Sequence, residues 1–258
     1  MYKGDIIGRE IIFFESVSST NDTAINIGRK RDNPDGIVVI ADEQSHGRGR
    51  FGRSWISPPG VNLYFTVLLR PPILSRNASV LTLVSAVAVT TAIRDYTGLD
   101  AEIKWPNDIL INGKKTAGIL IEMKSDRDSL YFLAVGIGVN VNMPLEILPE
   151  DIRPHITSLK AESGNNIDKI TLLSQILAEL EHHYKILLNG NKRALINEWL
   201  RLNSTIGSKV KVQNQDRIIS GTAKGIDDTG QLILRLPSGK LETVSAGEVT
   251  ILKENISL

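Results

Sequence analysis

Residues 36–55 read GIVVIADEQSHGRGRFGRSW and change character at residue 42. The apolar part, residues 36–41, is rich in β-branched side chains and predicts a strand that is buried on both faces. Polar and glycine-rich sequence follows and continues to Gly60. A loop of that length inside a compact domain is uncommon and is usually functional. The segment therefore predicts a sheet that presents a ligand-binding loop.

Strands and helices alternate on both sides of this segment. Apolar runs predict strands, and helical patterns with capping signals predict helices. The dipeptide Asn112-Gly113 predicts a tight hairpin between two of the strands. The other predicted strands are residues 11–14, 61–69, 103–105, 109–111, 116–121 and 131–141, and the predicted helices are residues 21–30 (N-cap Thr20), 76–96 (N-cap Ser75, ended by Gly98), 168–188 and 192–202.

From Gly207 onward the sequence consists of closely spaced β segments with turns at residues 228–230 and 237–239. This spacing predicts a small barrel appended to an α/β body. We therefore expect one domain of residues 1–205 and a C-terminal domain of residues 206–258. The predicted strands of the second domain are residues 209–213, 217–225, 231–236, 240–244 and 248–252.

The composition excludes several classes of function. The chain has 258 residues, with 30 Lys and Arg against 29 Asp and Glu, and its net charge of +1 argues against a general polyanion binder. The absence of cysteine rules out thiol catalysis, cysteine zinc sites, iron–sulfur clusters and disulfides, and it fits a reducing cytoplasm. No run of about 18 apolar residues and no signal-peptide pattern occurs, so we expect no membrane partner.

The most informative polar segment is residues 47–53, which interleave three arginines with three glycines and precede Trp55. Guanidinium groups suit phosphate or carboxylate oxygens, and glycines let the backbone approach a ligand. A solvated basic loop or a nucleic-acid-binding segment has a similar composition. The position between two predicted strands favours a ligand loop. We expect repulsion among the arginines to be relieved only by an anion over which the loop closes.

Three further segments are ambiguous when each is taken alone. Residues 104–108 (KWPND) and Lys115 can handle an anion or simply be surface groups beside a turn. Residues 136–142 (GIGVNVN) have Val141 where a dinucleotide motif has its third glycine, so their glycines indicate close approach instead. Residues 16–21 (SVSSTN) can bind a polar ligand or only cap a helix. The four histidines have no metal-ligand spacing.

Taken together, these segments resemble the biotin–protein ligase family. The resemblance rests on SSTN at residues 18–21, EQSHGRGRFGRSW at 43–55, KWPNDILINGKKTAG at 104–118 and GIGVNVN at 136–142. It implies an α+β fold, in which a mixed β-sheet is flanked by helices as in class II aminoacyl-tRNA synthetases and biotin ligases, with a small C-terminal SH3-like β-barrel. Ser54 departs from the pattern, since many relatives carry a basic residue there.

The resemblance also implies a two-step reaction. Biotin is activated by ATP and Mg²⁺ to biotinyl-5′-AMP, and a lysine of a biotin carboxyl carrier domain then accepts the biotinyl group. Biotin and ATP are implied as substrates, without a tightly bound prosthetic group and without a metal held by protein ligands alone, although Mg²⁺ can lie near Asp108. Such chemistry needs alignment and charge neutralisation rather than an enzyme nucleophile.

Particular residues take roles by this resemblance. The implied catalytic residues are Lys115, Arg48 and Asp108, with Lys115 donating to the oxygen at the carboxyl–phosphate junction, and Lys104 is a further candidate. The residues implied to bind biotin are Ser19, Thr20, Asn21, Gln44, Arg48, Gly49, Arg50, Lys115 and Gly118. The residues implied to bind ATP or the adenylate are Arg48, Arg50, Arg53, Trp55, Asn107, Asp108 and Asn140.

Few residues precede the first predicted strand, fewer than a helix-turn-helix domain needs. We therefore expect a monofunctional cytoplasmic ligase that binds no DNA, and homodimer formation stays open. A lipoate or octanoate ligase on the same scaffold and a nucleic-acid-binding protein are the alternatives. The C-terminal domain either docks proteins or helps to position ATP or the carrier.

Overall fold

The computed structural model describes residues 2–73, 78–126, 129–214 and 217–252. The strands of its main sheet are β1 (Glu10–Val17), β2 (Ile37–Gln44), β3 (Leu63–Leu69), β4 (Ala101–Lys104), β5 (Asp108–Ile111), β6 (Lys114–Asp126) and β7 (Ser129–Val139). They are ordered β1-β2-β3-β7-β6-β5-β4. β1 and β2 are parallel, and the other neighbours are antiparallel. The predicted mixed sheet is confirmed.

Helices cover both faces of this sheet. They are α1 (Thr20–Gly28), α2 (Val80–Thr97), α3 (Leu159–Ser163), α4 (Lys169–Leu188) and α5 (Lys192–Leu202). α2, α4 and α5 pack together on one face, and α1 packs on the other. Because strand side chains alternate between faces, β2 contributes Val38 and Ile40 to one apolar cluster and Ile37 and Val39 to the other. Its predicted burial on both faces is confirmed.

The starts of two helices differ from the prediction. Ser19, not Thr20, occupies the N-cap position of α1. The Thr20 hydroxyl instead donates to Gln44 Oε1 (3.1 Å), because β2 ends beside the start of the helix. The second helix begins at Val80 with Ser79 in the N-cap position, so its predicted start at residue 76 is wrong, and the predicted cap Ser75 lies outside the described residues. Gly98 follows the end of α2 with φ of 71°, as its sequence position predicted.

The C-terminal strands form a separate antiparallel sheet in the order β11-β10-β9-β8-β12. They are β8 (Lys209–Asn214), β9 (Arg217–Ile226), β10 (Leu232–Arg235), β11 (Leu241–Val244) and β12 (Glu248–Ile251). The predicted fold class, a mixed sheet flanked by helices with a small C-terminal β module, is confirmed. The boundary at residue 205 stays a prediction.

The two sheets share one continuous apolar cluster. Trp105 connects them as well, since its backbone N–H donates to Thr205 Oγ1 and its indole N–H donates to the Gly230 carbonyl (both 2.9 Å). The C-terminal module is thereby held against the turn between β4 and β5. No helix in the described part of the chain has the length and apolar character that crossing a membrane requires.

Candidate active site

One cleft collects nearly all of the predicted site residues. It lies between the start of α1, the loop of residues 47–55 (the arginine loop), the turn before β5 and the start of β12. The predicted residues that line it are Ser19, Thr20, Asn21, Gln44, Arg48, Gly49, Arg50, Arg53, Trp55, Lys104, Asn107, Asp108, Lys115 and Gly118.

Asn140 is the predicted site residue that the structure does not bring to this cleft. Its side chain is buried, and its amide donates to the Thr157 carbonyl (3.1 Å). The sequence motif around it gave no indication of this partner, because Thr157 belongs to a loop far along the chain. A contact between Asn140 and adenine stays a prediction.

One side of the cleft carries no charge. This neutral wall consists of Ser19, Thr20, Asn21 and Gln44, and the first three are at most 4% exposed. Gln44 Oε1 accepts from the Thr20 backbone N–H (2.9 Å) and hydroxyl (3.1 Å), while Gln44 Nε2 donates to Ser57 Oγ (2.9 Å). Buried polar groups that are paired in this way hold fixed positions. The neutral wall is therefore preorganised.

Asn21 is held by residues that the sequence did not single out. The hydroxyl of Thr66, in the middle of β3, donates to Asn21 Oδ1 (2.7 Å). The Asn21 amide donates to Glu122 Oε2 (2.7 Å) and, more weakly, to the Leu120 carbonyl (3.3 Å). A threonine or a glutamate inside a strand carries no local signal of such long-range partners, so these two residues were missed.

Glycines on β6 and β7 form the floor of the cleft. Gly118 and Gly138 are cross-strand partners. A Cβ at Gly138 would lie 2.6 Å from the Trp55 ring, and one at Gly118 would lie 2.9 Å from it. A Cβ at Gly136 would lie 2.2 Å from Asn21 Oδ1. The strand glycines predicted close approach by another backbone or a ligand, and the groups that approach them in the structure are the side chains of Trp55 and Asn21.

The opposite side, which we call the charged side, consists of Arg48, Arg50, Arg53, Lys115 and Asp108. Lys115 Nζ lies 2.6 Å from Asp108 Oδ1, across the adjacent strands β5 and β6. The same ammonium lies 5.1 Å from the centroid of the Trp55 ring. A carboxylate and an aromatic face thus fix the position of the ammonium at the edge of the glycine floor.

Carboxylates of the protein pair with two of the loop arginines. Arg48 Nη2 lies 2.8 Å from Asp22 Oδ1 and 2.7 Å from Glu122 Oε2. Arg53 forms a two-pronged contact with the carboxylate of Glu248, at the start of β12. The prediction that only an anionic ligand relieves the repulsion in the loop is therefore wrong. These acids are isolated in the sequence and lie on distant elements, so no local pattern revealed them.

Arg50 points between the two sheets. Its Nη1 donates to Asn107 Oδ1 (3.0 Å) and to the Gly247 carbonyl (3.4 Å). Burial lowers the pKa of this guanidinium, while the nearby carboxylates of Asp108 and Glu248 act in the opposite direction. A buried guanidinium has lost part of its hydration. An anion that enters the cleft can compensate for this loss by binding to Arg50.

The arrangement joins two chemically different surfaces. A molecule with an uncharged polar end and an anionic end fits it, the first against the neutral wall and the second against the charged side. Preorganised cations at the charged side suit a reaction in which negative charge concentrates. In the stretches that the structure describes, no group of three or more His, Cys, Asp or Glu is placed to hold a metal ion.

Comparison with known proteins agrees with this architecture. Residues 13–140 match the biotin/lipoate A/B protein ligase family, and residues 205–252 match the biotin protein ligase C-terminal domain. The bifunctional ligase/repressor BirA of Bacillus spizizenii is 36% identical over 244 residues, which cover 95% of this chain and 75% of that protein. The biotin--[acetyl-CoA-carboxylase] ligase of Paracoccus denitrificans is 37% identical over 215 residues, which cover 82% of this chain and 88% of that protein.

Solved structures give the same result. The biotin protein ligase of Aquifex aeolicus in complex with biotin and ATP superposes with a TM-score of 0.81 at 28% identity, over 95% of this chain and 99% of that one. The biotin protein ligase of Leishmania major in complex with biotinyl-5-AMP gives a TM-score of 0.63 at 27% identity, over 92% of this chain and 99% of that one. By its sequence, its fold and its cleft, this chain belongs to the biotin/lipoate A/B protein ligase family.

Proposed function

We propose that this chain is an ATP-dependent biotin–protein ligase. It activates biotin to biotinyl-5′-AMP and transfers the biotinyl group to a specific lysine of a biotin carboxyl carrier domain of a biotin-dependent carboxylase. One observation carries the proposal: the neutral wall and the charged side meet in a single cleft. Relatives named biotin--[acetyl-CoA-carboxylase] ligase, and structural neighbours that hold biotin with ATP, support it.

The reaction has two steps. A biotin carboxylate oxygen attacks the α-phosphorus of ATP, the bond from that phosphorus to the bridging oxygen breaks, and pyrophosphate leaves. The lysine ε-amine then attacks the acyl carbon, the carbon–oxygen bond to AMP breaks, and the amine loses a proton as the amide forms. The first step brings two anions together, so fixed cations lower its barrier by stabilising the charge.

We assign biotin to the neutral wall. Its bicyclic ring system is uncharged, and its ureido group both donates and accepts hydrogen bonds, as the side chains of Ser19, Thr20, Asn21 and Gln44 do. Gly118 leaves room for the rings above the floor of the cleft. Since Thr20, Asn21 and Gln44 are already oriented by hydrogen bonds, biotin binds without the cost of ordering them.

We assign the reacting carboxylate and the phosphates to the charged side. Lys115 donates to the oxygen at the carboxyl–phosphate junction, and Asp108 orients Lys115 through their 2.6 Å contact. Arg48, Gly49 and Arg50 close over the carboxylate. The remaining nucleotide contacts that we propose are made by Arg53, Asn107, Trp55 and Asn140, the last two with adenine.

Magnesium enters this cleft as part of Mg-ATP. Mg²⁺ is usually held by one or two carboxylates together with substrate phosphates. Asp108 lines the cleft and offers such a carboxylate, so the donor set fits an ion carried by the nucleotide. When bound, the ion neutralises charge on the phosphate oxygens.

We further propose a cytoplasmic location, where ATP and the carrier are found, and action without DNA binding. Homodimer formation stays a prediction. Sedimentation of the protein with and without biotin and ATP distinguishes a monomer from a dimer.

Pyrophosphate exchange tests the proposed function. The purified protein is incubated with Mg-ATP, labelled pyrophosphate and either biotin, lipoate or octanoate, with a chelator control. We expect label to enter ATP only with biotin and only when the metal is present. Exchange supported by lipoate or octanoate instead would assign the chain to the other branch of the family. Adding a carrier domain should then give one biotinyl group on one lysine, read by mass.

A further inference from the structure

Glu122 is the residue at which the two sides of the cleft meet. It lies on β6, and its side chain is 30% exposed. A single oxygen, Oε2, accepts a hydrogen bond from the Asn21 amide of the neutral wall and one from Arg48 Nη2 of the charged side, both 2.7 Å long. No motif of the sequence includes this residue, and it lines a pocket next to the cleft together with Arg48 rather than the cleft itself.

The contacts of Arg48 show what this carboxylate does. Its guanidinium contacts Asp22 and Glu122 through Nη2 alone among the described residues. The group is a rigid plane, so fixing one of its nitrogens fixes the direction of the others. Nε and Nη1 are thereby left for the cleft, which Arg48 lines.

We propose that Glu122 is a positioning residue for Arg48. It holds the guanidinium in the orientation that meets the activated carboxylate, and it ties that orientation to the position of Asn21 in the neutral wall. The proposal rests on the proposed function, because it concerns how the same cleft binds biotin and stabilises the adenylate.

Glu122 is better placed for this role than Asp22. The Asp22 side chain is more exposed, at 45%, and its carboxylate contacts Arg48 without contacting the neutral wall. Exposed ion pairs contribute little because water and salt screen them. Asp22 therefore serves as the matched control, an acid on the same arginine nitrogen that does not link the two sides.

The substitution Glu122→Gln tests the charge while it keeps an acceptor oxygen. We expect the KM for biotin to stay within about twofold, since Asn21 keeps its partner, and kcat for exchange to fall about tenfold, because charge-assisted hydrogen bonds are the stronger ones. Asp22→Asn should change kcat by about twofold or less. Unchanged kcat in Glu122→Gln would overturn the proposal.

A double-substitution cycle separates positioning from a general structural effect. In an Arg48→Ala background, Glu122→Gln should have no further effect on kcat, because the group that it orients is gone. If the tenfold loss persists in that background, Glu122 acts through something other than Arg48 and the proposal is wrong. The melting temperature of each variant is measured as well. If all the variants are less stable, the cycle still tests the proposal, because it compares the effect of Glu122→Gln with and without the Arg48 side chain.

A second readout does not depend on biotin chemistry. Phe51 is exposed in the arginine loop, so the rate of chymotrypsin cleavage after it reports how firmly the loop is held. Glu122→Gln should raise the cleavage rate when Arg48 is present. In the Arg48→Ala variant, the same substitution should leave the cleavage rate unchanged. If the unmodified protein shows no biotin-dependent exchange, the proposed function fails. If the cleavage rates are not coupled in this way, the positioning role fails.

Discussion

The neutral wall is largely buried and held mostly by hydrogen bonds between uncharged groups, with the Glu122 carboxylate as its charged partner among the described residues, whereas the charged side is partly exposed and held by ion pairs. Buried neutral networks are costly to disturb, because any unpaired member loses its hydration without compensation. Partly exposed ion pairs contribute little free energy, so their members can change partners at a low energetic cost. In one cleft, the side that we propose binds biotin is therefore rigid, and the side that we propose binds phosphate can change partners.

The largest effect should come from the charged side. Lys115→Ala should lower kcat of biotin-dependent exchange by about 10²–10³, the loss expected when a preorganised donor to developing charge is removed. The KM for biotin should change little, since the neutral wall is intact. The neighbouring Lys114 is exposed, so Lys114→Ala provides the control and should keep near-normal rates. A loss below about tenfold in Lys115→Ala would contradict the role of the ammonium.

Two glycine substitutions separate the two sides directly. An added methyl at Gly136 would press on Asn21, whereas one at Gly138 would press on the Trp55 ring. Overpacking typically costs about 1–3 kcal/mol. Gly136→Ala should therefore raise the KM for biotin about tenfold or more with a smaller effect on ATP, and Gly138→Ala should mainly raise the KM for ATP. Equal effects of both variants on both substrates would break the comparison.

A smaller effect is expected at the contact between the arginine loop and the C-terminal module. Glu248 pairs with Arg53, so under the proposed function we expect it to compete with the phosphates of ATP for this guanidinium. Glu248→Gln should lower the KM for ATP by a few-fold and change the free energy of unfolding by less than about 1 kcal/mol, because the pair is exposed. Arg53→Ala should raise the KM for ATP. A higher KM in Glu248→Gln would show that the pair supports nucleotide binding instead.

The smallest effect should be that of salt. The Debye length is about 10 Å at 0.1 M and about 3 Å at 1 M ionic strength, so added salt screens the partly exposed charges. The KM for ATP should rise with NaCl more steeply than the KM for biotin. Steady-state exchange at fixed free Mg²⁺ measures both, and parallel slopes would contradict the assignment of the two substrates to different sides.

The sequence predicted those parts of the molecule whose signal is local. Runs of β-branched residues located the strands, and the glycine–arginine pattern located the loop. The resemblance to the biotin–protein ligase family brought Arg48, Lys115 and Asp108 into one prediction, and the structure places them at one cleft. Asp108 and Lys115 come together because β5 and β6 are neighbours, whereas Arg48 reaches the cleft from the loop that follows β2.

Long-range pairing was not predictable in the same way. Arg53 and Glu248 are 195 positions apart, and Arg48 and Glu122 are 74 positions apart, so each partner reads as an ordinary surface charge in its own segment. Thr20 was predicted as a helix cap because capping is recognised from neighbouring residues alone. Its hydroxyl instead donates to Gln44, a partner that only the tertiary structure brings close.

The three tryptophans of the chain occupy very different surroundings. Trp105 and Trp199 are essentially inaccessible within the scaffold, at 1% and 0% exposure. Trp55 is partly exposed and lies against the backbone at Gly118 and Gly138, with the Lys115 ammonium nearby. Its emission should thus be the one that shifts when the cleft fills and the one that a soluble quencher reaches. The protein carries its own fluorescent reporter of occupancy, readable without a label.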